Sequence, residues 1–251
     1  MFNFFVTEDS RQGDLFYITA GDHNHIKNVL RMHEGEQLLV SENGQSHLCE
    51  ITNLSDNKTT VKIIEENYQS CELPIKIYLF QGLPKSDKFE FIIQKAVELG
   101  VFAIVPTEMS RCVVKIEEKK KKNKVERWNA ISESAAKQSK RNIIPEVTSI
   151  MSFKNALAFA KDLDLILIPY ESKNGMTDTK NALAKIKPGM SVGIFIGPEG
   201  GFDEKEINLA DEYAAEIISL GKRILRTETA AITSVAMCMI HIELNTDGEN
   251  L

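Results

Sequence analysis

Between residues 1 and about 72 the apolar positions fall in short alternating runs. Asp14 to Ala20, Gln37 to Ser41, Ser46 to Thr52 and Thr59 to Glu65 read as strands. Gly21-Asp22, Gly35, Asn43-Gly44 and Asp56-Asn57 punctuate them. Asn43-Gly44, set between Leu38–Val40 and Leu48–Ile51, predicts a two-residue hairpin turn, because both central positions of that turn need positive φ. Asp22 to Leu30 reads as a helix with Ile26, Val29 and Leu30 turned inward. Together these elements predict a small β-rich module, a barrel.

From Pro74 the rhythm changes. Buried-type strands are predicted at Ile75–Phe80, Phe102–Val105, Leu163–Pro169, Ser191–Ile196 and Glu216–Leu220, alternating with amphipathic helices. Runs such as Leu165-Ile166-Leu167-Ile168 suit strands covered on both faces, as in a parallel sheet. In the helix after the first of these strands, Asp87 and Glu90 have the spacing of a capping box. Phe89, Ile92, Ile93, Ala96 and Leu99 form its stripe, and Gly100 ends it. A last helix is predicted from Thr227 as N-cap, with Ile232, Val235, Ala236 and Met239 on one face. The expected class is α/β, an open α/β domain over residues 73–251 preceded by the β-rich module over residues 1–72. The break falls in the polar stretch Tyr68 to Leu73.

Composition narrows the function classes. Of 251 residues, 43% are apolar and 26% charged, which fits a folded chain. The formal charge of -6 excludes a uniformly basic coat for nucleic acid but not a local basic face. No apolar stretch is long enough for a membrane span, and the opening residues lack the basic start of a secretory signal. The four cysteines are scattered, so neither a disulfide framework nor a metal site is expected, and reduced thiols in a cytoplasm are.

Four segments carry candidate chemistry. Gly197-Pro198-Glu199-Gly200-Gly201-Phe202 follows a strand, where an open α/β sheet binds ligands; it reads either as a ligand loop or as a tight turn capped by Asp203. It has neither the Lys-Ser/Thr of a P-loop nor the dinucleotide spacing. In Leu220–Ala231, the cations Lys222, Arg223 and Arg226 crowd a helix start, where the dipole offers them nothing; they read as contacts to an anionic or nucleic-acid partner or as solvated charge on a strand, a loop and a capped core helix. Arg111 to Arg141 holds eleven Lys/Arg against four Asp/Glu, which reads as an RNA- or DNA-facing patch or, for Lys119–Lys122 and Lys124, as a solvated helix start. Gln138, Ser139 and Arg141 suit base and phosphate contacts, whereas Trp128 reads as core. In His25–Met32, Lys27 and Arg31 stand one helical turn apart as a candidate RNA contact. No nucleophile elbow or paired-carboxylate motif announces a hydrolase.

Taken together, GPEGGF (197–202), LGKRILRTETAA (220–231), LPKSDKFEFIIQKAVELGV (83–101), PTEMSRCVV (106–114) and HIKNVLRM (25–32) resemble the 16S ribosomal RNA uracil(1498)-N3-methyltransferases, the ribosomal RNA small subunit methyltransferase E family. The match runs in order over nearly the whole chain. It implies a PUA-like RNA-binding barrel followed by a SPOUT domain with a C-terminal trefoil knot, S-adenosylmethionine as cofactor, 16S rRNA of the small ribosomal subunit as partner, a homodimer, and no metal. The knot is implied by resemblance alone, since threaded chains are otherwise nearly absent from folds. Asn3 and Lys137 depart from the family, which usually has a basic and an acidic residue there.

The resemblance assigns the cofactor to Gly197, Glu199 and Gly200 on one wall, to Leu220, Gly221, Ile224 and Leu225 on another, and to the strand end from Ile168 to Glu171. RNA contacts are expected at His25, Lys27, Arg31, Lys85, Arg111, Gln138, Ser139, Arg141 and Arg223. For the chemistry, Arg226 is expected to stabilise negative charge on a uracil oxygen, and Glu228 to accept the N3 proton or orient Arg226; both can equally be structural at the helix start. Two other classes compete: a non-catalytic RNA-binding or assembly factor on the same fold, and a nucleotide-cofactor enzyme acting on small molecules. The two intact loops argue against the first, and the missing dinucleotide fingerprint against the second.

Overall fold

The computed structural model describes residues 1–85, 87–171 and 175–246. It divides into two compact units, one of Met1–Glu72 with Ala136–Ile144, the other of Leu73–Ala135 with the chain from Pro145 onward. No helix among the described residues is long and apolar enough to cross a membrane.

The first unit is a curled six-stranded sheet. Its strands are β1 (Asn3–Val6), β2 (Arg11–Gln12), β3 (Leu15–Thr19), β4 (Gln37–Glu42), β5 (Gln45–Leu54) and β6 (Lys58–Glu65). They run in the order β1-β4-β5-β6-β3-β2, all antiparallel except the β1/β4 pair. Asn43 and Gly44 turn β4 into β5 with φ of 49° and 81°, the pair of positive values that the hairpin needs. Inward positions of the alternating strands, among them Phe4, Phe16, Leu38, Val40, Ile51 and Val61, make one core.

Between β3 and β4, α1 (Ala20–Asn24) passes into a π-helical turn, His25–Val29. Here the expected inward face is corrected. Ile26 is fully buried, but Val29 is 65% exposed. The wider turn, closed by a bond from Leu30 N–H to His25 C=O at 2.8 Å, swings Val29 off the stripe that α-helical spacing predicts.

The return of residues 136–144 to this unit was not part of the sequence-based expectation. Arg141 explains why they belong here. Its guanidinium is 3% exposed and binds the Glu72 carboxylate at 2.5 to 3.0 Å, and the same carboxylate accepts from the backbone N–H of Asn142 at 2.8 Å. Asn3 Nδ2 donates to Arg141 C=O at 2.9 Å. Arg141 was expected on RNA; it is instead a buried strut whose charge is already neutralised.

The second unit is a parallel sheet with helices on its faces. The strands are β7 (Lys76–Gly82), β8 (Ala103–Glu108), β9 (Glu146–Val147), β10 (Met151–Ser152), β11 (Leu165–Pro169), β12 (Ser191–Ile196) and β13 (Glu216–Ile218). Their order is β10-β8-β7-β12-β11-β13, with β9 also paired to β8. The helices are α2 (Lys88–Glu98), α3 (Glu118–Ser139), α4 (Phe153–Ala160), α5 (Thr177–Leu183), α6 (Glu204–Asp211) and α7 (Thr227–Asn245). Leu165 to Ile168 are all buried, as two-sided burial requires. Phe80 of β7 stacks on Phe195 of β12 at 4.2 Å, and Phe89 packs on Trp128 at 4.4 Å.

Helix ends decide the entry angles at the site. Asp87 and Glu90 do not form the expected capping box: Asp87 has helical φ and ψ, so its carboxylate does not fold back, and Glu90 pairs with Arg127 at 2.8 Å. Asp203 and Glu206 have the same spacing and do form one, because Asp203 is extended. The N-cap of α7 is Arg226, not Thr227. The buried face of α7 is also not the expected one. It carries Thr227, Ala231, Ser234, Val235, Cys238 and Ile242, whereas Ile232, Ala236 and Met239 lie at its flank, half-buried. Small side chains let the helix lie close to β7, β12 and α2, and close packing outweighs side-chain bulk in choosing the face.

Candidate functional site

The carboxyl ends of β11, β12 and β13 open into one cavity of about 400 Å³. Three chain reversals wall it: Pro169-Tyr170-Glu171 after β11, Gly197–Phe202 after β12, and Ser219–Arg226 after β13. The β12 loop is compact because it lacks side chains where it folds on itself. A Cβ on Gly197 would stand 3.1 Å from Gly201 Cα, and one on Gly200 would stand 2.9 Å from Arg111 Cβ. The β13 loop is braced from below by α5. Thr179 Oγ1 donates to Ser219 C=O at 2.8 Å and accepts from Ser219 N–H at 3.0 Å, out of contact with water. Ser219 Oγ in turn accepts from Gly221 N–H at 3.2 Å.

Charge is arranged in two sets. In the first, Glu199 Oε1 accepts from Lys85 N–H at 3.1 Å and from Lys88 Nζ at 3.1 Å. Burial works to raise the Glu199 pKa, but those donors outweigh it and hold the carboxyl below its ordinary value. Lys88 is shifted upward by the same bond and by the Glu228 charge. The Glu228 Oε2 is buried and lies 3.4 Å from the Lys88 ammonium, an ion pair longer than a good hydrogen bond. In the second set, Lys222, Arg223 and Arg226 are exposed on the β13 loop and pair with no carboxylate among the described residues. The site thus has a carboxylate–ammonium–carboxylate bridge at one side and, on its lining, Arg223 and Arg226 without a carboxylate partner among the described residues.

A family model described as an RNA methyltransferase domain matches residues 71–239, and one described as an RNA methyltransferase PUA domain matches residues 18–64. The chain is 42% identical over 233 residues to the ribosomal RNA small subunit methyltransferase E of Bacillus subtilis, covering 91% of each. It belongs to the ribosomal RNA small subunit methyltransferase E family. Two solved structures share the whole fold. The enzyme of that name from Neisseria gonorrhoeae, bound to S-adenosyl methionine, is 30% identical with a TM-score of 0.81, over 96% of this chain and 97% of that one. A putative methyltransferase from Legionella pneumophila, in complex with the same cofactor, is 31% identical with a TM-score of 0.81, over 95% and 97%.

Within this family member the candidate cofactor residues Glu171, Gly197, Glu199, Leu220, Gly221, Ile224 and Leu225 all line the one cavity, as do Arg223 and Arg226. Two candidates do not. Ile168 is fully buried in the sheet core, one residue too early to reach the opening. Gly200 is pressed against Arg111, whose Nη1 donates to Gly200 C=O at 3.0 Å. Glu228 touches the site through Lys88. Tyr170, within the expected strand end, lines the cavity too; Lys88 and Ser219 line it without a sequence signal, and Thr227, expected only as a helix cap, joins them. Lys88 sits in a predicted helix start, and only the fold shows that this start faces the β12 loop.

The RNA candidates are dispersed. His25 and Arg31 are exposed in the first unit, His25 edge-on to Phe4 at 6.1 Å, and Lys27 Nζ is engaged by Ser55 C=O at 3.0 Å and Asp56 at 3.2 Å. Lys85 is exposed, Gln138 is exposed, and Ser139 Oγ donates to Ala136 C=O at 3.5 Å. The lysine run is matched by acids. Lys119 and Lys120 meet Glu117, Lys121 meets Glu108 and Glu118, and Lys122 meets Glu126. Lys137 meets Asp22.

Proposed function

We propose that this S-adenosylmethionine-dependent rRNA methyltransferase transfers a methyl group to N3 of one uridine, uracil 1498, in the 16S rRNA of the small ribosomal subunit. The observation that carries the reading is the single cavity shared by the Gly197–Phe202 and Ser219–Arg226 reversals, with Arg223 and Arg226 on its lining.

The cavity suits the cofactor. Its volume is within the range of small-molecule sites, Ile196, Leu220, Ile224 and Leu225 offer an apolar seat for a purine, and the glycines leave backbone groups accessible. Gly197, Glu199, Leu220, Gly221, Ile224, Leu225 and Glu171 would hold it. When bound, S-adenosylmethionine supplies a methyl on a positively charged sulfur, which leaves as a neutral thioether. The rest falls to the chain. Uridine N3 carries a proton at neutral pH, so the N3–H bond must break as the N3–carbon bond forms. Glu228, 3.4 Å from the Lys88 ammonium, takes that proton, and Arg226 stabilises the charge that develops on a uracil oxygen. The base must be unpaired to present N3. Much of the rate then comes from holding it in line with the methyl.

The reading extends to the architecture. Residues 1–72 act as the RNA-binding module and residues 73–251 as the catalytic domain of SPOUT type, with the segment after β13 threaded as a trefoil knot. Two copies form a homodimer, and the enzyme works in the cytoplasm on ribosomal RNA.

Tritium transfer from labelled cofactor to small-subunit RNA tests the activity, and a reverse-transcription stop at the modified base tests the position, since N3 methylation blocks Watson–Crick pairing. Transfer to no RNA, or a stop elsewhere, overturns the assignment. Arg226→Ala and Glu228→Gln are expected to lower methyl transfer at least 100-fold while calorimetric cofactor binding is retained. Loss of binding in both reassigns them to the cofactor or to folding.

A further inference from the structure

We propose that Gln81 and Thr227 are positioning residues, a buried hydrogen-bond relay that sets the Gly197 wall of the cavity and thereby the affinity for S-adenosylmethionine; this rests on the cofactor reading above. Gln81 lies near the end of β7 and is wholly buried. Its Nε2 donates to Gly82 C=O at 2.8 Å and to Thr227 Oγ1 at 2.9 Å. The Thr227 hydroxyl has one proton, and it goes to Gly197 C=O at 2.6 Å.

The direction of the chain is forced. Both amide protons of Gln81 are used, so Thr227 is an acceptor from Gln81 and free to donate to Gly197. With the amide turned over, its oxygen would face the Gly82 carbonyl, two acceptors together, and Thr227 would need its only proton for Gln81. The arrangement has a cost: Gln81 Oε1 is buried and finds no donor among the described groups. A methionine would fill the same space without that cost. What the amide adds is the aim of the Thr227 hydroxyl.

The relay joins three segments far apart in sequence, at residues 81, 197 and 227, and two of them wall the cavity. Holding Gly197 C=O fixes the plane of the Gly197–Pro198 peptide. Pro198, with its restricted φ, passes that orientation to Glu199. Thr227 is the first residue of α7, so the same contact sets where Arg226 and Glu228 stand relative to the β12 loop. Neither Gln81 nor Thr227 need touch the ligand to do this.

The test is calorimetric titration of the full chain with S-adenosylmethionine, alongside thermal melts without ligand, for wild type, Thr227→Val, Thr227→Ser, Gln81→Met and the Gln81→Met/Thr227→Val double variant. Thr227→Val keeps the shape, removes the hydroxyl and should weaken binding about tenfold. Thr227→Ser should remain within about twofold of wild type. Gln81→Met should weaken binding a few-fold, and the double variant should be no weaker than Thr227→Val, because one relay is broken only once. Thr227→Val with wild-type affinity and a lowered melting temperature overturns the proposal and leaves the cofactor reading standing. Independent, multiplying losses in the double variant overturn it too. Should Thr227→Val fail to fold, Gln81→Met at wild-type affinity overturns it alone. A wild-type chain that binds no S-adenosylmethionine overturns both readings.

Discussion

His47 shows how one buried side chain can tie stability to pH. It lies on β5, 1% exposed, beside Phe16 at 5.6 Å, and neither ring nitrogen has a hydrogen-bond partner among the described groups. Burial first, and the Arg11 charge second, hold its pKa below the ordinary imidazole value of 6.5, against the pull of Glu42 and Glu66. Arg11 binds both of those carboxylates, so little of their charge is left for the imidazole. The sign of the effect is set by linkage. Below pH 6.5 the unfolded chain takes up a proton that the folded chain refuses, so stability falls as the pH drops through that window. Chemical denaturation of the chain at a series of pH values should show the loss beginning near pH 6.5. His47→Leu, which removes the titrating ring and its orphan nitrogens, should flatten that step. A step unchanged in the variant would place its origin at another group.

At the scale of elements, α7 carries the most consequence. Its inner face meets β7, β12 and α2, while Ile240 and Leu244, one turn apart, are 50% and 79% exposed. An apolar pair on the outer side of the helix that also starts the proposed catalytic segment gives the proposed homodimer a surface. Ile240→Lys with Leu244→Lys is expected to halve the mass measured by light scattering at micromolar concentration, with the fold retained by circular dichroism. An unchanged mass moves the interface elsewhere.

Elements were also the scale at which the sequence was most legible. The apolar runs give five strands of the parallel sheet nearly to their ends, since Ser191–Ile196 is β12 itself, and Asn43-Gly44 gives the hairpin; β9 and β10, two residues each, are too short to leave such a run. Local chemistry was less legible where backbone geometry decides it. Asp87 and Asp203 have the same pattern after them, and only the extended backbone at Asp203 lets the cap form. Side-chain bulk and α-helical spacing point to other faces of α7 and of the His25–Val29 turn than the ones that are buried. Close packing of small residues governs the first, and a wider turn governs the second. Most of the cavity lining was readable, because glycine-bearing loops after strands are a local signal. Lys88, in the lining, and the Gln81–Thr227 contact behind it are not, because the bonds Lys88–Glu199 and Gln81–Thr227 span 111 and 146 residues.

For the molecule as a whole, the net charge of -6 hides a redistribution made by folding. Acids from other parts of the chain, Asp22, Glu72, Glu90 and Glu108, come to cations of the Arg111–Arg141 run. That changes what salt should do to RNA binding. A lysine that leaves a glutamate to reach a phosphate exchanges one ion pair for another, and the abandoned carboxylate gathers a cation from solution, so little is gained in counterion release. Lys222, Arg223 and Arg226 have no such debt. With Arg226 on the uracil, Lys222 and Arg223 make two single-stranded phosphate contacts and give a slope of log affinity against log salt of about -1.4, where eleven would give about -8. A salt titration with an RNA oligonucleotide spanning the target uridine should fall near the shallow value, and a slope near the steep one would put the lysine run on the RNA after all. The enzyme is then expected to hold its RNA with an affinity that survives changes in ionic strength better than its count of lysines and arginines foretells.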